Sequence, residues 1–110
     1  MKHSEFDKLF EEIVARCRNK LSTKSKEYST SDDKLHNFKR AAQMRDTTPE
    51  KALIGMSTKH EVSIDDIINN IGRGILPTIE MLEEKITDEL DYLILLEAII
   101  KERMKNDKIR

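Results

Sequence analysis

The residues in this chain best placed to do chemistry are four carboxylates near its C-terminal end. Glu80, Glu84, Asp88 and Asp91 fall within an arc of about 80° when wound at about 100° per residue. They form a line along one helix, roughly one turn apart. Leu95 and Ile99 continue the same line, so it runs from acidic into apolar surface. The carboxylates are therefore expected to line a groove rather than open water. Like charges one turn apart repel, so the line needs cations. These are either Lys and Arg side chains or Mg²⁺, which takes carboxylates, water and phosphate oxygens as ligands. Glu61 and Asp65 offer a second acidic pair on the preceding helical pattern. Antiparallel packing of the two segments would turn the acidic sets toward each other, as metal-assisted chemistry at phosphate requires. In the competing assignment, Lys51, Lys59, Lys85 and Arg73 neutralise the acids in salt bridges.

Three further features carry polar chemistry. His60 stands at the centre of an apolar stripe, as either a core imidazole with one satisfied hydrogen bond or a proton donor at the end of a groove. The stretch from Lys24 to Phe38 is dense in donors. Lys24, Lys26 and Lys34 suit phosphate, Tyr28 suits stacking on a base, and Asn37 suits a base edge. The alternative is a solvated connector whose Tyr28 and Phe38 plug the core. Cys17, the single cysteine, forms no internal disulfide and is expected as a buried structural thiol. No Gly-rich phosphate loop, nucleophile elbow or His-Glu-x-x-His motif occurs in the sequence.

The elements that must position these groups are helices. Phe6, Leu9, Phe10, Ile13, Cys17 and Leu21 recur at helical spacing and predict a helix over 4–27, capped by Ser4. Leu35, Phe38, Ala41, Ala42 and Met44 predict a shorter one over 33–45. A Thr47–Glu50 capping box with Pro49 in the first turn opens a third over 49–71, ended by Gly72-Arg-Gly74. A fourth runs from near Pro77 to Lys105, with Ile79, Leu82, Ile86, Leu90, Leu93 and Ile100 in one stripe. Between Tyr92 and Ile100 this last helix is apolar nearly all round, so it must be covered on every side. Four helices of this size do not easily wrap it. A homodimer or higher homo-oligomer that buries this helix is therefore expected.

Composition bounds the rest. With 110 residues the chain fits one domain, here all-α with about four helices in a mostly antiparallel bundle and a core over about 4–105. Charged and hydrophobic residues each make up 37%, which suits amphipathic helices with solvated outer faces. The 20 basic and 21 acidic residues leave no net field, which argues against nucleic acid or an anionic membrane as partner. No apolar leader and no run long enough to span a bilayer is present; a cytoplasmic protein is expected.

Read in order, Lys26-Glu-Tyr28, His36-Asn-Phe38, Met56-x-x-Lys-His60 and Glu84-x-x-x-Asp88-x-x-Asp91-Tyr92 resemble small phage and prophage proteins described as MazG-like or nucleotide-modification-associated. The resemblance spans residues 24 to 98. It implies an all-α fold related to nucleoside triphosphate pyrophosphohydrolases, with Mg²⁺ held by Glu-x-x-Glu on one helix and Glu-x-x-Asp on the next. Two departures stand out: the third helix offers Glu61-x-x-x-Asp65, and Lys85 takes the place of the Glu expected three residues before Asp88. Carried onto this chain, the resemblance assigns Glu84, Asp88 and Asp91 to metal, and Glu61 with Asp88 to catalysis. Lys59 and His60 contact the substrate, and Tyr28, Asn37 and Phe38 position its base. The function expected is Mg²⁺-dependent nucleotide binding or pyrophosphohydrolysis. The alternative is a non-catalytic helical accessory protein that binds a host or phage protein, with its acids paired to Lys or Arg instead of metal.

Overall fold

A computed structural model describes residues 1–28 and 32–109, without the side chains of 24–28, 108 and 109. Four helices account for it, and no strand occurs among the described residues: α1 His3–Tyr28, α2 His36–Arg45, α3 Pro49–Gly72 and α4 Ile79–Ile109. The all-α class and the number of helices agree with the sequence periodicity.

The helix ends differ from expectation in instructive ways. Ser4 lies inside α1, which begins at His3. In α2 the expected start at Asp33 gives way to a turn in which the Asp33 carboxylate accepts the Leu35 N–H at 3.0 Å. That side chain organises the approach to α2, and helical backbone starts only at His36. The C-terminus of α2 is closed by Asp46 in the left-handed conformation (φ 52°), which an Asp tolerates better than most residues. The cap of α3 is Thr48, whose hydroxyl accepts from Lys51 N–H at 3.4 Å, with Pro49 in the first turn. Glu50 does not complete a box with Thr47 but pairs with Arg103 on α4. Gly74 (φ 84°) makes the turn out of α3, and Thr78 caps α4 by accepting from Met81 N–H at 3.1 Å.

Helices α3 and α4 form the antiparallel spine. Glu50 meets Arg103, His60 meets Tyr92 and Glu61 faces Glu89, so positions rise on one helix as they fall on the other. Helix α2 packs on α3, and α1 packs on α4. The buried apolar cluster is small: Leu35, Phe38, Leu53 and Ile99, with Tyr92, Leu95 and Leu96 against it. Leu53, at 1% exposure, is its most enclosed member. The α1 stripe is covered only in part, since Phe6 and Phe10 are exposed.

The molecule is long for its mass. It measures 51 × 30 × 28 Å, with a radius of gyration of 16.6 Å, against about 13 Å for a compact chain of this length. The 31-residue α4 sets the long dimension at about 1.5 Å per residue. No helix among the described residues is long and apolar enough to cross a membrane.

Candidate functional site

The lower half of the acidic line enters the bundle where α1, α3 and α4 meet. Asp88 and Asp91 are each only 6% exposed, whereas Glu80 and Glu84 lie in solvent. The helical wheel explains the split: Asp88 and Asp91 share their line with half-buried Leu95 and buried Ile99. Buried carboxylates need partners, and two helices supply them. Lys20 of α1 pairs through Nζ with Asp88 Oδ1. His60 of α3 places Nδ1 at 3.5 Å from Asp88 Oδ2, an ion pair when the imidazole is protonated. Asp88 is thus held from both sides.

The surrounding groups tighten this knot. The Cys17 thiol lies beside Asp91. Burial, followed by the negative charge of Asp91, raises its pKa above the usual thiol range. That environment makes a poor nucleophile at neutral pH. The Tyr92 ring stacks at a tilt on His60, with centroids 5.2 Å apart, and meets Phe38 edge-on at 6.4 Å. Burial first, and Asp88 second, raise the Tyr92 phenol. Ser57 and Thr87 are buried nearby. Ser57 donates to the Ile54 carbonyl at 3.1 Å, and Thr87 accepts from Arg16 Nε at 3.4 Å. Arg16 also pairs with Glu83 at 3.5 Å. Among the described residues the α4 acids Glu83 and Asp88 thus pair with Arg16 and Lys20 of α1, Glu102 pairs with Lys39 of α2 and Glu97 with Lys101, and no ion pair of Lys51, Lys59, Lys85 or Arg73 occurs.

Not every residue singled out by sequence joins this knot. Asp88, Asp91 and His60 meet there. Glu84 lies exposed beside a shallow polar groove with Arg16, Asn19, Lys20, Thr23, Glu83 and Thr87. Glu61 is exposed and faces Glu89 instead of Asp88. Burial, followed by the charge of Glu61, raises the Glu89 pKa. Asp65 accepts from Asn69 Nδ2 at 3.2 Å. Phe38 is part of the apolar core. Asn37 and Lys59 are exposed, and the Tyr28, Lys24 and Lys26 side chains lie outside the described residues. Lys20, Arg16 and Tyr92 escaped sequence reasoning as site members. Lys20 lies three residues after Cys17, on the edge of the α1 stripe, and that position was its one visible clue.

No group of three or more His, Cys, Asp or Glu side chains among the described residues converges as a metal shell would. Of the two buried aspartates, Asp88 already has an ammonium on one oxygen. A dication beside Asp88 would have to displace Lys20.

Comparison of the chain with family models, curated proteins and solved structures gave no match.

Proposed function

We propose that this protein is a non-catalytic helical interaction module that works as a homo-oligomer. One observation carries the reading: the buried acid of the α4 line, Asp88, is bound by Lys20 of α1 and approached by His60 of α3. The acidic line acts as an interlock that fixes two helices on α4. A carboxylate engaged this way is not available as the first ligand of a metal. The exposed apolar side chains on α1 and α4, among them Phe6, Phe10, Leu93 and Ile94, give the module surface with which to bind.

A second reading rests on a different observation. Two aspartates, a histidine and a lysine gathered at low exposure are an expensive way to build a core, since a buried ion pair is often no more stabilising than well-packed apolar residues. Such clusters are also found at ligand sites, and a nucleotide phosphate would be the ligand that Lys20 and His60 suit. Thermal unfolding with and without Mg²⁺ or Mn²⁺, across a panel of nucleoside triphosphates, separates the two. The interaction reading predicts a flat panel and no pyrophosphate release. A bound ligand at 100 times its dissociation constant adds about 2.7 kcal/mol, a shift of several degrees. A shift of that size that requires both metal and nucleotide would overturn the interaction reading.

A further inference from the structure

A groove of about 610 Å³ opens between α1 and α4, lined by Phe10, Ile13, Val14, Leu21, Leu90 and Ile94 among others. Cys17 forms part of its wall and also lies beside Asp91, so the groove backs onto the polar knot. Ile94 in its wall stands 49% exposed and its neighbour Leu93 51%, in the middle of α4. These residues belong to the stretch whose all-round apolar character demands cover.

The surface area says how much cover is missing. The chain exposes 8612 Å². A compact monomer of 12.8 kDa exposes about 6,300 Å². The excess is about 2,300 Å², against about 800 Å² per partner in a standard interface and more in an obligate one. The distribution of charge along α4 says what fits. Its first turns carry exposed Glu80 and Glu84, and its last turns carry exposed Lys105 and Lys101, the latter also paired with Glu97 at 3.1 Å. The midpoint of the helix falls at Ile94. A second α4 laid antiparallel, with a two-fold axis near Ile94, brings the acidic start of each helix to the basic end of the other. A self-complementary surface of this kind is what a two-fold dimer requires.

We infer that the α1–α4 groove is the homodimer interface, closed by a second copy of this chain whose α4 runs antiparallel across it. The inference rests on the self-association in the proposed function and adds its surface and direction. The second copy covers Phe10, Leu93 and Ile94 and seals the groove side of the Cys17–Asp91 contact. The exposed apolar turn between α3 and α4, with Ile75, Leu76 and Ile79, lies outside this interface.

Sedimentation of the full chain over a micromolar range, together with cross-linking, tests this. The wild type is expected at twice 12.8 kDa. Ile94→Glu should weaken the dimer about 30-fold or more, as loss of a central hot spot does, while Leu76→Glu leaves it unchanged. If Ile94→Glu fails to fold, the conservative variants still decide. In a Cys17→Ala background, Ile94→Cys should cross-link to itself through a short bismaleimide, because it sits near the axis. Glu84→Cys should not, because its counterpart lies at the far end of the partner helix. A dimer dissociated by Leu76→Glu but not Ile94→Glu, or self-linking at 84 but not at 94, would overturn the interface and leave self-association standing. A monomer at all concentrations would overturn both.

Discussion

The two flanks of α4 are built on different principles. On the α2–α3 side, Leu35, Phe38, Leu53 and Ile99 pack into an apolar cluster that excludes water, with the Glu50–Arg103 and Lys39–Glu102 ion pairs near the C-terminal end of α4. On the α1 side, attachment includes the Lys20–Asp88 and Arg16–Glu83 ion pairs, with Cys17 beside Asp91, next to a groove that stays open. The apolar flank gains stability from burial, at about 25 cal/mol per Å². The polar flank gains geometric definition, because ion pairs fix which turn of α1 meets which turn of α4, and breaking one partner leaves a stranded charge. The contrast shows why an acidic line on a helix is an ambiguous sign. The same carboxylates serve metal chemistry or helix registration according to what the neighbouring helix brings to them.

The largest effect that would break this comparison is on the apolar flank. Leu53→Ala removes the most enclosed core side chain and should destabilise the fold by about 2–5 kcal/mol, read as a fall in denaturation midpoint without loss of helix content at low denaturant. Next comes Asp88→Ala, which strands Lys20 beside His60 and should cost about 3 kcal/mol. A metal-site reading expects that variant to keep its fold and lose only activity, so urea unfolding of Asp88→Ala separates the two accounts. A smaller effect concerns charge on the α3–α4 face. Burial and Glu61 raise the pKa of Glu89, and its Oε2 is buried without a hydrogen-bond partner among the described residues. A carboxylate whose folded pKa lies above its unfolded value binds its proton more tightly in the native state. Its ionisation therefore removes stability as pH rises from the unfolded value of about 4.5 through the folded one. Glu89→Gln should thus raise the Tm at neutral pH and leave it unchanged below pH 4, as scanning calorimetry at the two pH values would show. The smallest is Thr48→Ala at the start of α3. Its cap bond is long, 3.4 Å, so the loss should fall at or below about 1 kcal/mol.

Much of this architecture is legible in the chain and some is not, for physical reasons. Hydrophobic period gives four helices because each buries one stripe, and the stop at Gly72–Gly74 and the restart at Pro49 are local chemistry. The burial of Asp88 and Asp91 is also visible, since Leu95 and Ile99 extend their line into the core. The partners of those acids are not visible. Arg16 and Lys20 are separated from Thr87 and Asp88 by about seventy residues, and nothing in helical spacing says which helix will lie against which. Phe38 shows the same limit. It reads as a ring that positions a base or as a core plug, and the choice depends on a tertiary contact, here its edge-on packing on Tyr92 at 6.4 Å. The cap expected at Thr47 is a one-residue ambiguity between neighbouring hydroxyls, since Thr48 caps α3 instead, whereas Ser4 falls inside a helix that already starts at His3.

A double-mutant cycle on Lys20 and Asp88, by urea unfolding of the wild type, Lys20→Met, Asp88→Leu and the double variant, tests the central claim most directly. If the acidic line is an interlock, each single variant loses stability and the double variant recovers most of it. The coupling is then about 2 kcal/mol or more, and added Mg²⁺ changes none of the four curves. Single losses that simply add, with a wild type stabilised by Mg²⁺ and a Asp88→Leu variant that is not, would contradict the account and return Asp88 to metal.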